Sequence, residues 1–144
     1  IGRGSLKGRL NRMSARLGIS DRVTIESGMD FEKIAQMYRF SQLCVYPSYY
    51  EGQGLIPLEA MSSGIPVLTV NNGPLPEMVD ETVGALFEMG SVESFSEAIV
   101  SESSSNSALQ EKGDRGRSRV MAKFTLENNA NDFLDIYKRA ISNS

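Results

Sequence analysis

The 144-residue sequence contains no histidine and one cysteine. Without histidine, zinc sites and Ser-His or Cys-His nucleophilic catalysis are excluded within this chain. A lone cysteine builds no disulfide framework, which makes a reducing cytoplasm the natural compartment. Cys44 sits inside the apolar stretch Leu43 to Tyr46 and reads as a small buried hydrophobe, not a nucleophile. No apolar run approaches the roughly 18 residues of a membrane span, and Ile1-Gly2-Arg3-Gly4 is no signal peptide.

What is present is a globular balance, with 40% hydrophobic and 23% charged residues. The net charge of -3 is unevenly spread: residues 1–20 carry five basic groups and no acid, whereas residues 21–102 carry three basic groups against 13 acidic ones. That acidic middle argues against nucleic acid as a partner.

Along the chain, Leu6, Leu10, Met13 and Leu17 recur at helical spacing between Ser5 and Leu17, flanked by Arg9, Arg12 and Arg16. The narrow stripe reads as the side packed on a sheet rather than a membrane-binding face. Val23 to Glu26 reads as a short strand, ended by the turn Ser27-Gly28-Met29. Asp30 then caps a helix carrying Phe31, Ile34, Ala35 and Tyr38 on one face. Leu43 to Tyr46, Pro66 to Val70 and Gly84 to Glu88 read as further strands, the first two buried on both faces. Helices are expected over Gly54 to Ser63, Ser91 to about Val100, about Ala108 to Lys123 with a break near Gly113 or Gly116, and from Thr125 onward. Ser101 to Ser107 reads as a flexible connection, and Ala130, Phe133, Leu134, Tyr137 and Ile141 as the apolar face of the last helix. Strands alternating with helices through short connections define an α/β parallel sheet.

Ligands of such sheets lie beyond the carboxyl ends of the strands. One loop there carries chemistry. Pro47 to Met61 joins a strand to a helix through Gly52 and Gly54 and places Glu51 and Glu59 eight positions apart. The glycines admit close approach of a ligand, and the amides of Gln53, Gly54 and Leu55 with the helix dipole suit hydroxyl or phosphate oxygens. Glu59 lies about five residues into the helix, roughly 8 Å along its axis, and leans back toward the cleft. Two carboxylates with a phosphate site between them suit a nucleotide-sugar. On spacing alone, an ordinary turn and a dipole-favoured acid explain the pattern equally well.

Residues 44–64 resemble the signature of the retaining nucleotide-sugar glycosyltransferases of family 4, the group 1 glycosyltransferases with the two-domain GT-B fold. The matching residues are Pro47-Ser48, Glu51-Gly52-Gln53-Gly54-Leu55, Glu59-Ala60-Met61, Gly64 and Pro66-Val67. Leu17 to Val23, Gly73-Pro74-Leu75-Pro76-Glu77 and Gly84-Ala85-Leu86-Phe87 extend the resemblance over most of the chain. It implies a Rossmann-like doubly wound sheet forming the C-terminal half of a GT-B enzyme, with residues 1–144 as a partial donor-binding domain. Glu51 then matches the catalytic glutamate beside the donor sugar. Gly52, Gln53, Gly54 and Leu55 match the stretch meeting sugar and diphosphate, Glu59 the residue bonding ribose, and Ser27-Gly28-Met29 the seat of the base. Gln53 departs from the family's usual aromatic residue, which implies an altered pocket wall.

The resemblance implies a nucleoside-diphosphate sugar as donor, a glycan or lipid-linked acceptor held by an absent domain, no cofactor, no metal, and a cytoplasmic role in polysaccharide biosynthesis. Any membrane association would run through other parts of the protein. The family's phosphate-binding arginine and lysine fall upstream of Ile1; Gly2-Arg3 and Lys7-Gly8 are poor substitutes, since the spacing to Asp21-Arg22-Val23 puts Lys7 in a surface helix. In a 3-2-1-4-5-6 sheet, Val23–Glu26 would be strand 3 and Leu43–Tyr46 strand 4, with no direct pairing between them. The chain alone is therefore expected to be inactive. Glu77 reads as a brace of its turn, and Tyr49 and Tyr50 either stack on sugar or fill a domain seam. The alternative function is a noncatalytic nucleotide-binding or interaction module. An epimerase, a phosphorylase or a glycoside hydrolase fits the glutamate pair less well.

Overall fold

The computed structural model describes residues 1, 2 and 4–142. Arg3 lies outside the described residues. The chain divides into two compact units, Ile1–Gln36 and Met37–Ser144.

In the first unit, helix α1 (Lys7–Arg16) ends where Leu17 caps it and Gly18 turns left-handed at φ +67°. Lys7 is thus a helical surface residue. A 3-10 turn (Ser20–Arg22) follows, then the exposed turn at Gly28. The expected strand Val23–Glu26 is not formed. This segment is irregular, and the amide of Gly2 donating to the carbonyl of Glu26 at 2.9 Å is no strand ladder. β-branched residues make a strand only where a neighbouring backbone completes the pairing. For the same reason the stripe of α1 is not covered as expected: Leu6, Leu10, Met13 and Leu17 are all exposed, and this unit has no strand among the described residues to lie on them. Helix α2 (Phe31–Phe40), whose residues from Met37 on belong to the second unit, starts at Asp30, whose Oδ1 accepts from the amide of Lys33 at 2.9 Å, the cap its sequence predicts. Of its expected face, Ile34 and Tyr38 are half-buried, while Phe31 and Ala35 are exposed.

The second unit is built on a three-stranded parallel sheet in the order β1 (Cys44–Tyr46), β2 (Val67–Val70), β3 (Gly84–Phe87). Its register aligns Cys44 with Val67 and Val67 with Gly84. All four residues of central β2 are buried. Strand β1, also expected to be buried on both faces, is only partly covered, with Val45 exposed, because among the described residues it has a strand neighbour on one side alone.

Helices α3 (Leu55–Ser62) and α6 (Asn106–Lys123) cover one face. Ala60, Met61, Val67, Val79, Val83 and Val120 share the core there. Helix α5 (Val92–Glu102), capped by Ser91 as its sequence predicts, covers the other, with Phe95, Ala98 and Ile99 against Leu68, Val70 and Phe87. The proline-containing stretch after β2 forms an additional short helix, α4 (Leu75–Met78). The serine-rich connection is shorter than expected: α5 runs to Glu102 and Ser105 caps α6 by accepting from the Ala108 amide at 3.3 Å. Helix α6 is unbroken at its glycines. A Cβ at Gly113 would stand 2.1 Å from the carbonyl oxygen of Gly64, so this glycine lets the backbones approach rather than interrupting the helix. The last helix, α7 (Leu126–Ser142), starts where Thr125 accepts from the Asn128 amide. Among the described residues no helix is long and apolar enough to cross a membrane.

Candidate functional site

At Tyr46 the chain leaves the carboxyl end of the sheet, crosses the loop 47–53 and enters α3 at Leu55. Three hydrogen bonds shape this crossing. The Thr69 hydroxyl donates to the Tyr46 carbonyl at 2.8 Å, Asn72 Nδ2 to the Tyr49 carbonyl at 3.2 Å, and Ser48 Oγ to the Tyr50 carbonyl at 3.1 Å. The loop is thus tied both to β2 and to the turn that follows β2.

Gly54 is buried in the left-handed region at φ +76°, and a Cβ there would come within 3.0 Å of Leu75 Cδ2 and 3.3 Å of Met78 Cε. Its lack of a side chain serves packing against α4, a reason the sequence reading did not include. Gly52 has open space around it, and Gly52, Gln53 and Leu55 are exposed.

Each glutamate of the pair has a tyrosine partner. The Tyr46 hydroxyl donates to Oε1 of Glu51, and the Tyr38 hydroxyl, from α2, donates to Oε2 of Glu59 at 3.3 Å. The bond from Tyr46 is the main reason the Glu51 carboxyl is held below the usual carboxylate range. Partial burial opposes that shift, and Ser48 and the Gly54 amide add to it. Burial, then the bond to Glu51, raises the Tyr46 phenol above its ordinary value; burial, with Cys44 and Glu59 nearby, does the same for Tyr38. Cys44 is half-buried, and burial pushes its thiol up to about 11, which makes it a poor nucleophile as expected.

Sequence reading missed both tyrosines, treating Tyr46 as the end of an apolar strand and Tyr38 as part of an apolar helix face. The available signal was the hydroxyl itself, since a phenol set among buried groups needs a partner. Ser27, Gly28 and Met29 lie in the first unit, with Gly28 at φ +71° and Ser27 exposed. Glu77 lies exposed in the first turn of α4. A separate hollow of about 360 Å³, lined by residues including Arg39, Gln42, Pro66 and Asn106, is formed by the segments that precede β1 and β2 and follow α5. It shares no residue with the glutamate loop.

A parallel sheet with helices on both faces, and two carboxylates on the loop and helix beyond its first strand, defines the Rossmann-like class found in the C-terminal half of GT-B glycosyltransferases. Comparison bears this out. The structure matches sucrose-phosphate synthase from Thermosynechococcus elongatus with a TM-score of 0.83 and 31% identity, over 98% of this chain and 36% of that one. It matches a variant of TarM from S. aureus, in complex with UDP among other ligands, with a TM-score of 0.80 and 25% identity, over 94% of this chain and 28% of that one. The family described as glycosyl transferases group 1 matches residues 1–119, and the chain belongs to it. The MMP alpha-(1->4)-mannosyltransferase of Mycolicibacterium hassiacum is 32% identical over 137 residues, 94% of this chain and 33% of that protein. The chain thus spans about a third of the curated relatives it matches.

Proposed function

We propose that this chain is the donor-binding part of a glycosyltransferase that passes a sugar from a nucleoside-diphosphate sugar to an acceptor with retention. The observation that carries the reading is the pair Glu51 and Glu59, set on one loop-helix unit inside the family's motif with a hydroxyl donor on each carboxylate. Glu51 accepts from donor-sugar hydroxyls and stabilises the positive charge that develops as the diphosphate leaves. The exposed stretch Gly52-Gln53, with Leu55 at the first turn of α3 and Gly54 bending the chain between them, meets sugar and diphosphate. Glu59 accepts from the ribose hydroxyls. The glycan or lipid-linked acceptor belongs to a part of the protein outside this chain. Donor cleavage proceeds without a bound metal or cofactor, in the cytoplasm, in polysaccharide assembly. The mannosyltransferase relative and the UDP held by the TarM variant support the donor class.

Glu59→Ala tests the reading. Losing a charged acceptor for ribose weakens nucleoside-diphosphate binding by about 1.5–3 kcal/mol. Unchanged affinity by calorimetry in a folded variant rejects the role of Glu59.

A further inference from the structure

We infer that Tyr46 is a positioning residue for Glu51: its ring is anchored in the core, and its hydroxyl fixes the orientation of the carboxylate without itself touching the ligand. This rests on the donor-site reading of Glu51.

Glu51 stands on a loop with exposed Tyr50, Gly52 and Gln53 around it, and Gly52 places no restriction on the backbone. Left to itself, a glutamate there would sample several rotamers. The Tyr46 hydroxyl prevents that by donating to the carboxylate. This anchor traces back to one core cluster. The Tyr46 side chain packs against the group formed by Leu68, Val70, Leu75 and Phe87. Gly54 is seated against Leu75 of the same group. The backbone of Tyr46 is fixed in turn by its register with Thr69 and by the Thr69 hydroxyl on its carbonyl. The carboxylate is therefore referred to buried β2 and α4 rather than to its own exposed loop.

The hydroxyl is engaged by Glu51, which leaves it a poor direct ligand group. Burial and the bond to Glu51 raise the phenol above its ordinary value, so at neutral pH it is a protonated donor. Tyr38 and Glu59 form a longer, exposed pair.

Tyr46→Phe keeps the ring and removes the hydroxyl. In the chain labelled with carbon-13 at its glutamate carboxyls, the Glu51 titration is expected to move upward in this variant. An unmoved Glu51 titration in a folded Tyr46→Phe overturns the inference. Calorimetry with UDP-glucose and GDP-mannose supplies the second arm. Tyr46→Phe weakens the bound sugar nucleotide about tenfold, and adding it to Glu51→Gln costs nothing more. Losses that add in the double variant would make Tyr46 a direct ligand contact and overturn the positioning role. If Glu51→Gln alone leaves both affinities unchanged, the donor-site reading fails, and the carboxyl titration still decides whether Tyr46 controls Glu51.

Discussion

Helices α6 and α7 follow one another in the chain and are nearly equal in length, at 18 and 17 residues, yet they meet opposite fates. In α7, the clean apolar face is uncovered: Phe133, Leu134, Tyr137 and Ile141 are all more than half exposed. Helix α6 has the more polar sequence and buries Leu109, Gly113, Gly116 and Val120 against α3 and the sheet. Periodicity reports that a helix has an apolar face. Whether anything covers that face depends on elements elsewhere, and the closest packing here is made by glycines, which carry no hydrophobic signal.

The largest effect should come from the glycine contact. Gly113→Ala gains helix propensity but drives a Cβ into the Gly64 carbonyl, for a net loss of about 1–2 kcal/mol in chemical denaturation. A neutral result would mean that α6 is not held to α3 by this approach.

A smaller effect comes from the polar tie of α6. Arg119 donates to the Met78 carbonyl at 3.0 Å and to Asp80 Oδ2 at 2.7 Å. Burial alone would raise the Asp80 carboxyl, but the bonds from Arg119 and Thr82 outweigh it and hold the carboxyl at about 2, against 3.8 ordinarily. Because the folded value is the lower one, this pair stabilises the protein above about pH 4, and the contribution is lost as the pH falls from 3.8 through 2. With the Asp80 side chain 40% exposed, solvent screening limits it to about 1 kcal/mol. Asp80→Asn should therefore lower the urea midpoint at pH 7 and narrow its gap from the midpoint at pH 2. An equal shift at both pH values would assign the effect to shape rather than charge.

The smallest effect belongs to α7. Leu134→Ala, at a half-exposed position, should cost less than about 0.5 kcal/mol in the same denaturation assay. A loss approaching that of Gly113→Ala would show the face to be covered and abolish the contrast between the helices.

The site was legible to the extent that its chemistry is local. Glu51, Gly52, Gln53, Gly54, Leu55 and Glu59 fall within nine consecutive residues, between an apolar strand and a helix closed by Gly64, so strand, loop and helix could be read together. The partners of the two carboxylates were not legible for two different reasons. Tyr38 lies 21 residues from Glu59 and reaches it only because α2 and α3 meet through folding. Tyr46 lies five residues from Glu51, but its hydroxyl was hidden inside an apolar run that reads as pure core.

Sequence alone determined the helix starts at Asp30 and Ser91, the buried run of β2, and the placement of two carboxylates after β1. Each depends on a side chain bonding a backbone a few residues away, or on a short apolar stretch. Tertiary structure decided what depends on distant neighbours. It left Val23–Glu26 irregular where no ladder was completed, made β1 an edge strand, seated Gly54 on Leu75 and Gly113 on Gly64, and gave Glu51 its phenol. A cap or an apolar run carries its partner or its pattern within a few residues. A ladder, a backbone approach or a buried hydroxyl exists only once two separate stretches of chain have met.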